Sequence, residues 1–188
     1  MEEETEEQTE EHHLGVDWVI WEHRNDCTNY EDNLNKVTEF NTVEQFWRVW
    51  FHLPRPFEFF FTQKDDRNLI SNRSVVSYSI FKKGILPKWE DPIANKGGEW
   101  RIRRFKCLEE LDYLWEEVTL TVIGNSFTNY ENILGIRVVD SSQKKSNKVL
   151  YNIEIWFDSM DHAEKIKQDI SEKIPEIDSA KMYLRNHS

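Results

Sequence analysis

Apolar and polar positions change rhythm several times along the chain, and each rhythm predicts an element. DWVIWEHR, residues 17–24, mixes branched and aromatic side chains in the manner of a strand, and the polar NDCTNYEDN behind it reads as a loop carrying Tyr30. Val43, Phe46, Trp47 and Trp50 then recur at the 3–4 spacing of one helical face. Asn41 or Thr42 can cap that helix, and Glu44 stands at capping-box distance from Asn41. PRPFEFFFTQKDDRNLISNR has no clear period and reads as an insertion with one short hydrophobic anchor at residues 57–61. SVVSYSIFKK and EWRIRRF alternate as strands on either side of the punctuated segment GILPKWED. LEELDYLWEEVTLTVI, residues 108–123, is a long helix with Gly124 placed to end it. GIRVVDSS and VLYNIEIWFD form a strand pair joined by QKKSNK, MDHAEKIKQDISEKI is a further helix before Pro175, and AKMYLR is a last strand. Strands interrupted by single helices, without a Gly-rich phosphate turn, predict an α+β fold with a mainly antiparallel sheet. The order of strands within the sheet does not follow from the pattern.

Composition narrows the picture. A chain of 188 residues suits a single domain. Its formal charge of -11 is concentrated at the start, where residues 1–11 hold seven glutamates and no base. Such a block is expected to be a disordered acidic tail, with the folded domain at 12–188. Without the tail, 28 acids face 24 lysines and arginines. That balance cannot coat a long phosphate backbone, but it leaves room for one nucleotide held by local contacts. No run approaches the roughly 18 apolar residues of a membrane span, and the acidic start is unlike a leader peptide. These features point to the cytoplasm, with the nucleus also open, and to no membrane association. Cys27 and Cys107 are far apart and read as free thiols.

Catalytic and metal chemistry find no support in spacing. The six histidines and two cysteines form no HExxH, CxxC or comparable set, so no enzyme activity, metal or cofactor is expected. The eight tryptophans are more telling. Most large aromatics are core, yet Trp89 lies in a Gly- and Pro-punctuated segment among Lys88, Glu90 and Asp91, where solvent is near. An indole stacks on bases and on flat cations, and a carboxylate can accept the adjacent N1–H and N2–H of guanine. Trp89 and Glu90 therefore offer a face and an edge for a purine, best of all for a base made cationic by methylation at N7. A small-ligand or glycan-binding β protein that uses aromatic platforms is the rival reading from another class.

FKKGILPKWED, with the downstream NKGGEW, the helix end VIGNSF and the upstream TVEQFW, resembles the eukaryotic translation initiation factor 4E family, the messenger-RNA cap-binding proteins. The resemblance runs from about His12 to Tyr183, and it covers seven of the eight tryptophans, Trp50 being the exception. It implies a curved antiparallel sheet backed by three helices, like a cupped hand, holding 7-methylguanosine between two aromatic rings. Trp89 matches the second ring and Tyr30 the place of the first, where the common initiator form has tryptophan and some repressor-like homologues have tyrosine. Glu90 matches the carboxylate that reads the guanine edge, and Trp156 the tryptophan at the N7 methyl group. Two departures concern the phosphates. Glu99 stands after the Gly97–Gly98 turn where the family has a basic residue, and is expected to repel a triphosphate. The second phosphate arginine is missing near Ser141. Arg101 or Arg103, on the strand face of Glu99, could take over, as could Lys144, Lys145 and Lys148 in the loop that follows, which reads equally well as a solvated basic loop.

The same resemblance implies a dorsal groove for a partner helix of the form tyrosine, four residues, leucine and an apolar residue. Val43 and Trp47 match its apolar pair, His12 and Leu14 a neighbouring contact segment, Glu117 an acidic contact, and Leu120 and Ile123 apolar positions along it. Glu116 replaces a family leucine there. The partners implied are capped mRNA and either the scaffold factor 4G or 4E-binding repressor proteins, with control of translation initiation as the function. The alternative is a divergent paralogue of weak cap affinity that acts as a repressor or partner-binding module.

Overall fold

The structure, a computed structural model, describes residues 11–24, 33–60, 69–70, 73–105, 107–141 and 150–188. The tail up to residue 10, Cys27, the loop with Tyr30, most of the insertion after residue 60 and the segment with Lys144, Lys145 and Lys148 lie outside the described residues.

Strands β1 (His13–Arg24), β2 (Leu34–Thr42), β4 (Arg73–Lys82), β5 (Gly98–Ile102), β6 (Ile133–Asp140), β7 (Tyr151–Phe157) and β8 (Met182–Asn186) form one sheet in the order β2-β1-β4-β6-β7-β5-β8. All these pairings are antiparallel, and the short β3 (Leu69–Ile70) pairs only with β4. Register shifts in β1 and near the start of β6 mark bulges, which bend and twist a sheet. The helices are α1 (Val43–Trp50), α2 (Pro56–Phe60), α3 (Leu108–Ile123) and α4 (Ala163–Lys173).

Alternation divides the sheet into two faces. Trp18, Ile20, Tyr78, Ile80, Ile136, Val138, Ile153 and Ile155 point to the helices and share the main core with Phe46, Leu111, Leu114, Trp115, Val118, Ile166 and Ile170. Trp100 on β5 belongs to that side too, and its indole N–H donates to the Ala163 carbonyl at 2.8 Å, tying α4 down. Asp169 of α4 accepts from the Thr128 amide and hydroxyl, both at 2.8 Å, and so holds the turn between α3 and β6. The opposite face carries a smaller cluster of Phe81, Ile85, Ala94, Leu134 and Trp156, with Trp21 against it.

Several sequence expectations need revision. The sequence reading assigns no element between the loop ending at Asn33 and the helix cap; LNKVTEFNT is in fact a polar edge strand whose Val37 faces solvent, so its apolar alternation is weak. The insertion contains the short helix α2, which packs on α3 with Phe60 buried. Thr42, not Asn41, caps α1 by accepting from the Gln45 amide, and Gln45 returns the contact to the Asn41 amide at 3.1 Å. Glu44 is engaged elsewhere, on His12. Gly124 ends α3 at an ordinary negative φ; the left-handed residue is Asn125, while a Cβ on Gly124 would come within 2.7 Å of the Leu120 carbonyl oxygen. Arg104, also left-handed, breaks the alternation that the sequence extended to Phe105, and β5 stops at Ile102.

Candidate functional site

β4 and β5 are not neighbours, since β6 and β7 lie between them, so residues 83–97 must cross the ends of both strands. One buried carboxylate shapes that crossing. Asp91 accepts the amides of Leu86 at 3.0 Å, Ile93 at 2.9 Å and Ala94 at 3.3 Å. Trp89 and Glu90 ride on the turn before it, with Glu90 exposed and Trp89 40% exposed. The segment then enters β5 through the glycine pair. A Cβ on Gly97 would overlap the Phe157 carbonyl oxygen, and one on Gly98 would collide with the Arg185 carbonyl, so this entry is open only to glycine.

Cross-strand register aligns the side chains of the non-helical face in rows. Gly135 of β6, Trp156 of β7, Glu99 of β5 and Arg185 of β8 lie opposite one another, and one step along stand Arg137, Glu154, Arg101 and Tyr183. Gly135 is the gap in the first row that admits the Phe81 ring, whose edge meets Trp156 at a centroid distance of 5.3 Å. Trp156 is fully covered: its indole N–H donates to Glu154 at 3.1 Å, and the His187 ring lies 4.3 Å from it. The sequence reading set Trp156 at the ligand's methyl group; among the described residues its ring neighbours are Phe81 and His187.

The expectation for Glu99 is corrected. Glu99 is 0% exposed and bound on both oxygens, by Arg101 on one and by His187 Nε2, at 2.9 Å, on the other. Burial pushes its carboxyl up, but the His187 hydrogen bond and the Arg101 charge outweigh this and hold it below the usual range. A carboxylate so compensated does not present a bare charge to a phosphate. The neighbouring Glu154 moves the other way, raised by burial and by the Glu99 charge against the pull of Arg137 and Arg101. Glu99 is thus the ionised member and Glu154 the one that keeps a proton more readily. Arg101 is correspondingly committed to Glu99 and, at 3.3 Å, to Glu154, so it is not the free phosphate contact expected. Arg103 lies past the end of β5 with its guanidinium over Tyr183, 5.3 Å from the ring centroid. Two residues the sequence reading passed over line this face at its β8 edge: His187, and Arg185, whose guanidinium carbon sits 3.8 Å from the Trp89 ring centroid. Their spacing of two, Arg185 within β8 and His187 just past its end, in step with Tyr183, is the signal that could have placed them here.

On the helical side His12 and Val43 come together, the Val43 amide donating to the His12 carbonyl at 2.8 Å. Glu44 accepts the His12 amide at 3.0 Å, and this bond and the His12 ring hold its carboxyl down at about 2. Leu14 and Trp47 are partly buried against the main core. Trp47 stacks on Phe51, which is 77% exposed, with centroids 5.5 Å apart. Trp47, Trp50, Phe51, Tyr78 and Trp115 line a cavity of about 270 Å³ that also meets Glu116. Glu116, the departure noted in the sequence, pairs with Arg55 at 3.2 Å. Glu117 and Leu120 are half-buried on α3, whereas Ile123 is 3% exposed and serves the core, which corrects its assignment to the groove. Among the described residues no group of His, Cys, Asp and Glu could hold a metal ion, and no helix is long and apolar enough to cross a membrane.

A helix-backed antiparallel sheet whose other face carries a partly open tryptophan–glutamate pair above buried aromatics defines an α+β protein with a cupped binding face. The chain belongs to the eukaryotic initiation factor 4E family, which it matches over residues 13–187. Among relatives, it is 37% identical over 147 residues to eukaryotic translation initiation factor 4E type 1B of Mus musculus, covering 76% of this chain and 54% of that protein. It is 36% identical over 141 residues to eukaryotic translation initiation factor 4E1 of Drosophila melanogaster, covering 74% and 47% respectively. The chain therefore spans about half the length of these relatives. Ascaris suum eIF4E-3, solved with an m7G cap and with an m2,2,7G cap, is similar at TM-scores of 0.76 and 0.75 and 27% identity, over 95% of this chain and 93% of the other.

Proposed function

We propose that residues 12–188 form a non-catalytic domain that binds the 7-methylguanosine cap of mRNA on the cupped face and recruits a helical partner on the helical face, so controlling translation initiation in the cytoplasm. The observation that carries this reading is the Trp89–Glu90 pair, half-open to solvent on a segment fixed by Asp91, in a chain of the factor 4E family. The Ascaris relative crystallised with two caps supports it. Trp89 supplies one stacking face and Glu90 accepts the guanine N1–H and N2–H. Tyr30 is assigned the opposing face and Trp156 the floor beneath the methyl group. Lys144, Lys145 and Lys148 are the remaining candidates for the phosphates, with Arg103 at the margin.

A fluorescence titration tests the base and phosphate parts separately. 7-Methyl-GTP is expected to quench tryptophan emission and to bind more tightly than GTP by the cation–π contribution, about 0.5–2 kcal/mol. Raising salt should weaken both nucleotides while leaving 7-methylguanosine nearly unaffected. Equal affinity for methylated and unmethylated nucleotides would remove the proposed recognition.

The half-buried Trp47 beside exposed Phe51 carries the partner assignment, with the scaffold factor 4G or a 4E-binding repressor as the partner class. Trp47→Ala should lose a peptide of the Tyr-x4-Leu-apolar type in a pull-down or calorimetric assay and retain 7-methyl-GTP. Joint loss of both ligands would make Trp47 a structural residue only. One observation favours the second reading, a paralogue of weak cap affinity acting mainly through its partner surface: the arginine nearest Glu99 is committed to internal carboxylates.

A further inference from the structure

Across β5 and β8 the register sets Arg185 directly opposite Glu99, where a carboxylate–guanidinium pair would be the ordinary outcome. That pair does not form, because both Glu99 oxygens are taken by Arg101 and His187. Among the described residues Arg185 has no carboxylate partner, and its guanidinium lies on Trp89 instead, 3.8 Å from the ring centroid. Two residues on, just past the end of β8, the His187 ring lies 4.3 Å from that of Trp156 and 6.5 Å from that of Trp89. The His187 ring is held at both nitrogens, by the Ala94 carbonyl and by Glu99, each at 2.9 Å. Arg185 and His187 thus lie against both tryptophans that the cap reading assigns to the base.

A guanidinium on an indole face is a flat delocalised cation on an electron-rich ring, the same contact that an N7-methylated purine makes. We propose that Arg185 is an affinity-determining residue of this site, an internal ligand that holds the Trp89 face and must be displaced before a base can stack there. The proposal rests on the cap-binding reading. Displacement lowers the apparent affinity of every base by one common factor, since only the fraction of molecules with a free ring can bind. Preference for the methylated base is left unchanged, because both bases displace the same contact.

Arg185→Gln and Arg185→Ala in the full chain, titrated with 7-methylguanosine and guanosine, test this without phosphates to respond to the lost charge. Both nucleosides should bind about twofold to about thirtyfold more tightly, the range of one cation–π contact, at an unaltered ratio. In ligand-free protein the Arg185 side-chain proton resonances should be shifted upfield by the indole ring and return in Trp89→Ala. Unchanged or weakened nucleoside binding in both variants, or absence of the ring-current shift, overturns the proposal. If no variant binds 7-methylguanosine while the shift persists, the cap reading itself fails, and this role fails with it.

Discussion

Trp89→Ala should cost 7-methyl-GTP binding roughly tenfold to a hundredfold and leave the fold almost untouched. One base–aromatic stack is worth about 1–3 kcal/mol, and no other described indole is both exposed and beside a free carboxylate on this face. The ring is not part of either apolar cluster, so truncation removes little beyond the Arg185 cation–π contact, about 0.5–1 kcal/mol at an exposed site. Because a base must first displace Arg185 from the ring, truncation removes that cost as well, and the loss belongs in the lower part of this range. Trp89→Phe keeps a smaller platform and should fall between the two. Calorimetric titration together with a melting curve checks the pair of claims: a variant that melts as the wild type yet binds 7-methyl-GTP equally well would show that the base is held elsewhere.

The largest expected effect on stability comes from one methyl group at Gly97. Its Cβ would overlap the Phe157 carbonyl oxygen and lie 2.7 Å from the Phe157 and Asp158 carbonyl carbons, all backbone atoms that cannot rotate away. β5 would have to part from β7 where Gly98 faces Phe157, and the His187 amide would lose the Gly97 carbonyl that it bonds at 3.1 Å. Overpacking a core typically costs about 1–3 kcal/mol, and a clash with fixed backbone belongs at or above the top of that range. For a chain of this size about 3 kcal/mol lowers the melting temperature by roughly 6–12 °C. Gly84→Ala is the matched control. Its φ of +94° makes alanine strained, but nothing lies within 4 Å of the added carbon, so about 1–2 kcal/mol should be lost. Equal melting temperatures for the two variants would refute the backbone collision.

The long elements were legible because their patterns are strong: α3 begins at Leu108 and ends at Ile123 as its period predicts, and β4, β6 and β7 read as strands from their branched residues. β2 was not legible, because an edge strand needs few buried side chains and LNKVTEFNT offers few. The sheet order was closed to the sequence as well, since pairing depends on residues far apart in the chain. Motif carried Trp89 and Glu90, while the compensation of Glu99 was invisible. Its partners sit two and 88 positions away, and only the β5–β8 register brings His187 to it. Charged residues at alternate places in the otherwise apolar stretches RIR and IEIW were the available hint, for they imply a second, polar layer on a sheet already backed by helices.

Asp91 has a bearing on rates. With three amides fastened to a single carboxylate, the turn that bears Trp89 takes its form when the chain folds, before any nucleotide arrives. Stiffening a residue costs about 1–2 kcal/mol, and that sum falls on folding here and not on association. Once Arg185 leaves the ring, the base meets a turn already set, so variants of this segment that keep the Arg185 contact should differ chiefly in how long the complex lasts.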